Sequence, residues 1–308
     1  MPAIIEVEQL SKSYGGKRGV VDVTFQVEDG EVFGFLGLNG AGKTTTIRVL
    51  MALLRADAGN ARVAGKDCWQ DSVEIKRIIG YVPGEPALDP NLTGGQILEY
   101  FAHLRGGVDE AYLKQLINRL DLDTNRKFRQ YSTGNKRKVV LIQAFMHKPR
   151  VLILDEPTSG LDPLNQQEFD GMVGEAKKEG RTVFLSSHVL SEVEKTCDRV
   201  GIIRDGRLVK IGGVHELTDI KRHEITISFA RKVPVDTFAK LDGVTKVETL
   251  DNGSAVRIAI QGAADAVIKA AAQFPVVSLT SYEPSLEDIF LRYYERDGQA
   301  PKEAAGVV

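Results

Sequence analysis

Residues 31-EVFGFLGLNGAGKTTTIRVLMALL-54 decide the fold. The apolar run 31-EVFGFLG-37 predicts a short buried strand, and 45-TTIRVLMALL-54 predicts a helix. Between them, 37-GLNGAGKT-44 satisfies G-x-x-x-x-G-K-[ST], the P-loop, in the strand–loop–helix setting the pattern requires. Gly37, Gly40 and Gly42 let the backbone approach a phosphate and turn several N–H groups inward, with Leu38, Asn39 and Ala41 between them. The helix that follows adds its positive N-terminal end. Lys43 reaches terminal phosphates, the Thr44 hydroxyl suits Mg²⁺, and Thr45 completes the candidate phosphate-binding set. Each hydrogen bond to a charged oxygen is worth roughly 1.5–3 kcal/mol, so a handful accounts for tight binding. The glycine spacing does not fit a dinucleotide G-x-G-x-x-G.

A phosphate cradle names a nucleoside triphosphate but not a reaction. Downstream, 151-VLILDEPTSGLDP-163 begins with four apolar residues, the signature of a strand buried in a parallel sheet. That strand ends in Asp155 and Glu156. Ligands of parallel α/β sheets sit at the carboxyl ends of the strands, where the P-loop also lies. Asp155 is thereby placed to hold Mg²⁺ through water, and Glu156 to polarise an attacking water. A positioned base of this kind contributes ~10²–10⁴ in rate. A third apolar run, 182-TVFLSSH-188, brings His188 to the same sheet edge. A lone histidine is usually structural; beside two acids at one edge it reads as a sensor of the terminal phosphate.

The bulk numbers fit an ordinary globular protein. The chain has 308 residues, enough for two domains, with 43% hydrophobic and 27% charged residues. A net charge of −2 leaves no global field to attract nucleic acid. Cys68 and Cys197 lie far apart, outside any metal-binding spacing, and read as two free thiols. The N-terminal MPAIIEVEQLSKSYGG lacks the basic flank, apolar run and cleavage site of a signal peptide. A bilayer span needs about 20 mainly apolar residues. The richest stretch, 263-AADAVIKAAAQFPVVSL-279, carries charges and meets a proline.

The order GLNGAGKTT, VLILDEPTSGLD, FLSSH resembles the ATP-binding cassette of ABC transporters, over residues 3 to about 218. The resemblance implies a P-loop NTPase of α/β class: a mixed sheet with a helical subdomain at about 88–148, in an ATP-binding domain spanning 1–220. It implies ATP and Mg²⁺ as cofactors. It implies that Tyr14, in 10-LSKSYG-15, stacks on adenine, and that Asp162, in 159-SGLD-162, belongs to a loop crossing between two cassettes. Cassettes pair head to tail, and each ATP is closed by a Leu-Ser-Gly-Gly-Gln loop of the opposite subunit. Here 131-YSTGN-135 stands at that place, before a helix-like 136-KRKVVLIQAFMH-147, with Ser132, Thr133, Gly134 and Asn135 as the candidate signature residues acting in trans. Tyr131, Thr133 and Asn135 depart from the family pattern. The rival readings of this stretch fall away. A guanine-reading Asn-Lys-x-Asp needs an acid at position 138, where Lys138 stands, and the basic triplet Lys136-Arg137-Lys138 reads as a solvated helix face. A further departure is Gly84, in 78-IIGYVPGEP-86, where the family carries a metal-contacting glutamine that moves with the membrane partner; Glu85 or water is left to substitute.

Residues 93-TGGQILEYFAHL-104 predict a helix opened by a capping box, and 110-EAYLKQLINRLDL-122 a second amphipathic helix. After about residue 220 the pattern becomes strand 224–230, a short helix, a hairpin around Asp251-Asn252-Gly253, a helix at 263–273, a strand at 276–282 and a last helix at 285–296. That predicts a small α+β accessory domain of βαββαβ type over 221–296, structural or dimerising in role, and a disordered tail at 297–308. Its ending, EPSLEDIFLRYYE, resembles the accessory C-terminus of bacterial cassettes paired with ABC-2-type exporters. The implied function is the ATPase subunit of a bacterial exporter of hydrophobic drug- or antibiotic-like substrates. It would work as a cassette dimer at the cytoplasmic face of the membrane, bound to a separate ABC-2-type transmembrane permease and to no nucleic acid. The alternative is a non-transport cassette, or a slow regulatory or immunity ATPase.

Overall fold

The computed structural model describes residues 3–15, 17–218, 222–282 and 290. The chain divides into two compact units, Met1–Gly213 and Val214–Val308. The first opens with strands β1 (Ala3–Tyr14), β2 (Lys17–Glu28) and β3 (Val32–Leu36), then helix α1 (Lys43–Leu50). Next come β4 (Ala58–Val63), β5 (Lys66–Asp67), α2 (Ser72–Ile78) and β6 (Ile79–Val82). A helical stretch follows with α3 (Gly94–Leu104), α4 (Glu110–Arg119) and α5 (Thr133–Phe145). The unit closes with β7 (Val151–Asp155), α6 (Pro163–Lys178), β8 (Thr182–Ser187), α7 (Leu190–Thr196), β9 (Arg199–Arg204) and β10 (Arg207–Gly213).

These strands form two sheets. One is antiparallel, in the order β2-β1-β4-β5; the other has six strands in the order β10-β9-β3-β8-β7-β6. In the larger sheet β6, β7, β8, β3 and β9 run parallel, and β10 returns antiparallel to β9. Three of its interior strands, β3, β8 and β7, are buried at every position, as their apolar runs predict. Phe25 of β2 stacks on Phe33 of β3 and Phe184 of β8 at centroid distances of 5.7 Å, and Phe33 on Phe184 at 5.9 Å. This phenyl cluster fixes the antiparallel sheet over the parallel one and so sets where the end of β1 stands relative to the P-loop.

The predicted capping box is present: Gln96 N–H donates to Thr93 Oγ1 at 3.2 Å, and Thr93 N–H to Gln96 Oε1 at 2.9 Å. Three expectations are corrected. Helix α1 stops at Leu50 rather than 54, because Ala52 takes a positive φ of 50°. Helix α5 begins at Thr133, inside the candidate signature, because Ser132 caps it by accepting from Asn135 N–H at 3.3 Å. The basic triplet is not a solvated face: Arg137 is 2% and Lys138 7% exposed.

In the second unit, helix α8 (Val214–Thr218) precedes β11 (Arg222–Phe229), α9 (Asp236–Ala239), β12 (Val244–Leu250), β13 (Ala255–Gln261), α10 (Asp265–Ala271) and β14 (Val276–Tyr282). The βαββαβ order gives an antiparallel sheet β12-β13-β11-β14, a ferredoxin-like arrangement. Ile225, Ile227, Val256, Ile258 and Ile260 pack beneath Phe238 and Val267. The last predicted helix, 285–296, lies outside the described residues apart from the buried Phe290, as does the tail 297–308.

Candidate nucleotide site

The P-loop runs from the end of β3 into α1. Gly40 and Gly42 take φ angles of 83° and 114°, which L side chains rarely adopt. At Gly42 a Cβ would also stand 2.7 Å from Val20 Cγ1, so the turn depends on glycine twice over. Lys43 is 5% exposed and folds its ammonium back onto its own loop, donating to the carbonyls of Gly37 and Leu38. A cavity of about 340 Å³ opens above the loop, lined by Leu38, Asn39, Gly40, Gly42, Lys43, Thr44 and Thr45. Tyr14, Gly19 and Glu156 complete the wall. Tyr14 is 42% exposed, its ring against Gly19 and its hydroxyl 3.5 Å from Thr45 Oγ1. An exposed aromatic face at the rim of a phosphate cradle suits a flat base.

Strands β7 and β8 deliver the acids. Register pairs Asp155 with Ser186, and the Ser186 hydroxyl donates to Asp155 Oδ1 at 2.6 Å. Asp155 is fully buried, and its Oδ2 accepts no hydrogen bond. Glu156, at a strained φ of 49°, places Oε1 3.1 Å from Lys43 Nζ and Oε2 2.8 Å from His188 Nδ1. The Lys43 contact is an ion pair without hydrogen-bond alignment. His188 is 46% exposed. One carboxylate thus spans the phosphate-binding lysine and the histidine. Asp155 Oδ2, buried and without a hydrogen-bond partner, is an oxygen donor of the kind that suits Mg²⁺, and Thr44 on the cavity wall carries a hydroxyl of the same donor class.

The P-loop, Tyr14 and Glu156 share one cavity, which His188 joins through its contact with Glu156 and beside which Asp155 lies as the residue before Glu156. The other candidates lie elsewhere. Ser132–Asn135 and Asp162 do not line the cavity. They pack on each other's segments: a Cβ on Gly134 would stand 2.6 Å from the Gly160 carbonyl. Asp162 caps α6, accepting from Asn165 N–H at 3.0 Å, and these hydrogen bonds hold its carboxyl below the usual range. Tyr131, which departs from the family pattern, buries its ring against Phe128 and donates its hydroxyl to the Asp123 carbonyl. Glu85 is exposed, and Gly84 lies against Asp155, where a Cβ would stand 3.1 Å from Oδ2.

Sequence reasoning missed three supporting residues. Ser186 acts on Asp155 through strand register, which no local pattern encodes. Glu192 of α7 accepts from Thr158 Oγ1 at 2.8 Å and from Ser187 Oγ at 3.2 Å, tying the segments after β7 and β8 together. Arg137 donates to the carbonyls of Pro83 and Gly84. Both thiols are buried, and burial pushes each up to about 12, as suits inert structural cysteines.

Comparison with known proteins agrees with this geometry. Residues 20–159 match the family described as ABC transporter, and residues 212–294 match the C-terminal domain described as ATP-binding protein DrrA1-3-like. The bacitracin transport ATP-binding protein BcrA of Bacillus licheniformis is 32% identical over 95% of this chain and 97% of its own length. The daunorubicin resistance ATP-binding protein DrrA3 of Streptomyces coeruleorubidus is 34% identical over 98% of both chains. A solved ATP-binding subunit of an ABC transporter superposes with a TM-score of 0.64 at 32% identity, over 70% of this chain and 91% of that one. The motif order, the sheet that carries it and these full-length likenesses place the chain in the ABC transporter family, as an ATP-binding cassette ATPase with a DrrA-like C-terminal domain.

Proposed function

We propose that this chain is the ATPase subunit of a bacterial exporter of hydrophobic drug- or antibiotic-like compounds. It works as a cassette dimer on a separate ABC-2-type transmembrane permease. The observation that carries the reading is Glu156 spanning Lys43 and His188 above the phosphate cradle, in a chain matching BcrA and DrrA3 almost end to end. No helix among the described residues is long and apolar enough to cross a membrane, so a transport role draws the pore from another chain. That association sets the chain at the cytoplasmic face of the membrane.

In this reading the amides of Gly37–Thr45 and Lys43 Nζ hold the ATP phosphates, and Tyr14 stacks on the base. Thr44 and Asp155 would hold Mg²⁺, which when bound neutralises charge on the phosphate oxygens. Once phosphate attracts Lys43, Glu156 Oε1 is released to take a proton from water, while His188 keeps Oε2 oriented. Ser132–Asn135 of the same chain do not line the cavity. A second cassette supplies those residues in trans, with Asp162 beside them.

The test is the molar mass of purified Glu156→Gln with and without ATP, followed by copurification with the candidate permease. ATP-dependent doubling of mass, and retention on membranes only when the permease is present, are the expected results. A protein that binds ATP yet stays monomeric and unassociated would sink the transport reading.

A further inference from the structure

Arg137 is the most deeply buried arginine among the described residues, at 2% exposure. Its guanidinium forks: Nη1 donates to the Pro83 carbonyl and Nη2 to the Gly84 carbonyl, each at 2.6 Å. Nε points to the Ser159 carbonyl at 3.4 Å, so all three contacts are to main chain. Among the described residues it forms no salt bridge. Burying a cation on neutral acceptors alone is costly. Burial pushes the guanidinium pKa down, and the nearby carboxylates of Asp155 and Glu156 oppose that push. The two acids of the nucleotide site therefore offset part of the cost of burying this charge.

One of the carbonyls Arg137 grips belongs to Gly84, which approaches Asp155, the neighbour of Glu156 in the chain. Gly84 lies so close to Asp155 that a Cβ would stand 3.1 Å from Oδ2. A side chain there would press on the carboxylate and shift it by a few tenths of an ångström, so the loop lies in close contact with the acid. On its other side, Ser159 precedes Gly160, whose carbonyl would meet a Cβ of Gly134 at 2.6 Å. One guanidinium thus ties the first turns of α5 to the loop after β6 and to the segment after β7.

We propose that Arg137 is a positioning residue for ATP hydrolysis, coupling α5 to Asp155 and Glu156 through the main chain of Pro83 and Gly84. Movement of the helical segment reaches the acids along backbone hydrogen bonds, at the position where no side chain is present to carry it. The proposal rests on the ATPase reading of the site but not on the export reading.

The test uses full-length protein and basal ATPase activity. Arg137→Lys keeps the charge but loses the fork, and Gly84→Ala inserts a methyl toward Asp155 while leaving α5 intact. Each should lower kcat roughly 10–100-fold, as for a catalytic group misplaced by about 1 Å, with KM for ATP within about twofold of wild type. The double variant should be no worse than the poorer single one, since both act along one path. Wild-type kcat in both single variants overturns the proposal. So does a loss of kcat that follows KM and melting temperature together, which marks a merely structural arginine, or full additivity in the double variant. If the wild-type protein hydrolyses no ATP, it is the ATPase reading that fails.

Discussion

Glu156 Oε2 lies 2.8 Å from His188 Nδ1 while Oε1 lies 3.1 Å from Lys43 Nζ, so one carboxylate is shared between the P-loop lysine and the histidine. Phosphate competes for Lys43, but the histidine contact sits on the far carboxylate oxygen. Removing the imidazole should therefore spare binding and damage the chemical step. His188→Ala is expected to lower kcat by about 10²-fold or more while the affinity for a fluorescent ATP analogue changes less than about threefold. A parallel fall in affinity would show that His188 serves binding instead.

Ser186 orients the buried carboxylate that fits the metal. Its hydroxyl donates to Asp155 Oδ1 at 2.6 Å and leaves Oδ2 unpaired. Ser186→Ala leaves Oδ1 without its donor, at about 1–3 kcal/mol in stability. The expected outcome is a higher Mg²⁺ concentration for half-maximal ATPase activity, about tenfold, with nucleotide binding in chelator unchanged. Titration of activity and of nucleotide fluorescence against Mg²⁺ checks both halves.

The site was legible where it is local in sequence. The strand–loop–helix of 31–54, the acids after Leu154 and His188 after its apolar run each announce themselves, because a buried parallel strand must end at the ligand edge. The antiparallel sheet was not legible in the same way. Strand β1 has register breaks between Val7 and Leu10 and again beyond, and Gln9 has a φ of 49°, so its inward and outward residues do not alternate cleanly. Arg137 escaped for another reason. Three consecutive basic residues resemble a wet surface, and their acceptors are carbonyls at positions 83, 84 and 159, which only tertiary folding brings near.

His147 gives a pH signature distant from catalysis. Burial first, then the charge of Arg105, lowers its pKa to about 4, while the Ile79 carbonyl 3.3 Å from Nε2 opposes the shift. A neutral histidine in the native state and an ordinary one, near 6.5, when unfolded means the unfolded chain binds the extra proton first. Its contribution is present above pH ~6.5 and is lost as pH falls toward 4. Melting temperature should decline across that window, and His147→Gln should flatten the decline. An unchanged slope in the variant would assign the acid sensitivity to other groups.

In the proposed cassette dimer, the departures from the signature pattern at Tyr131, Thr133 and Asn135 would leave the trans contact to Ser132 and the amides at the start of α5. Tyr131 is occupied in the helical packing, and Gly134 is fixed against Gly160. Ser132 is exposed, and its hydroxyl spends itself only on a 3.3 Å cap to Asn135 N–H. An anion arriving from a second cassette meets this hydroxyl and the positive end of a 13-residue helix. Ser132→Arg fills that approach with a bulky side chain but leaves the chain's own cavity untouched, because Ser132 does not line it. In the Glu156→Gln background it should abolish ATP-dependent doubling of mass, while the monomer still binds ATP with unchanged affinity. Ser132→Ala, which loses only the hydroxyl and the cap, should weaken dimerisation without abolishing it, by the roughly 1.5–3 kcal/mol of one hydrogen bond to a charged oxygen. If Ser132→Arg dimerises as well as its parent, the two cassettes meet through another surface and the trans role of 132–135 is lost.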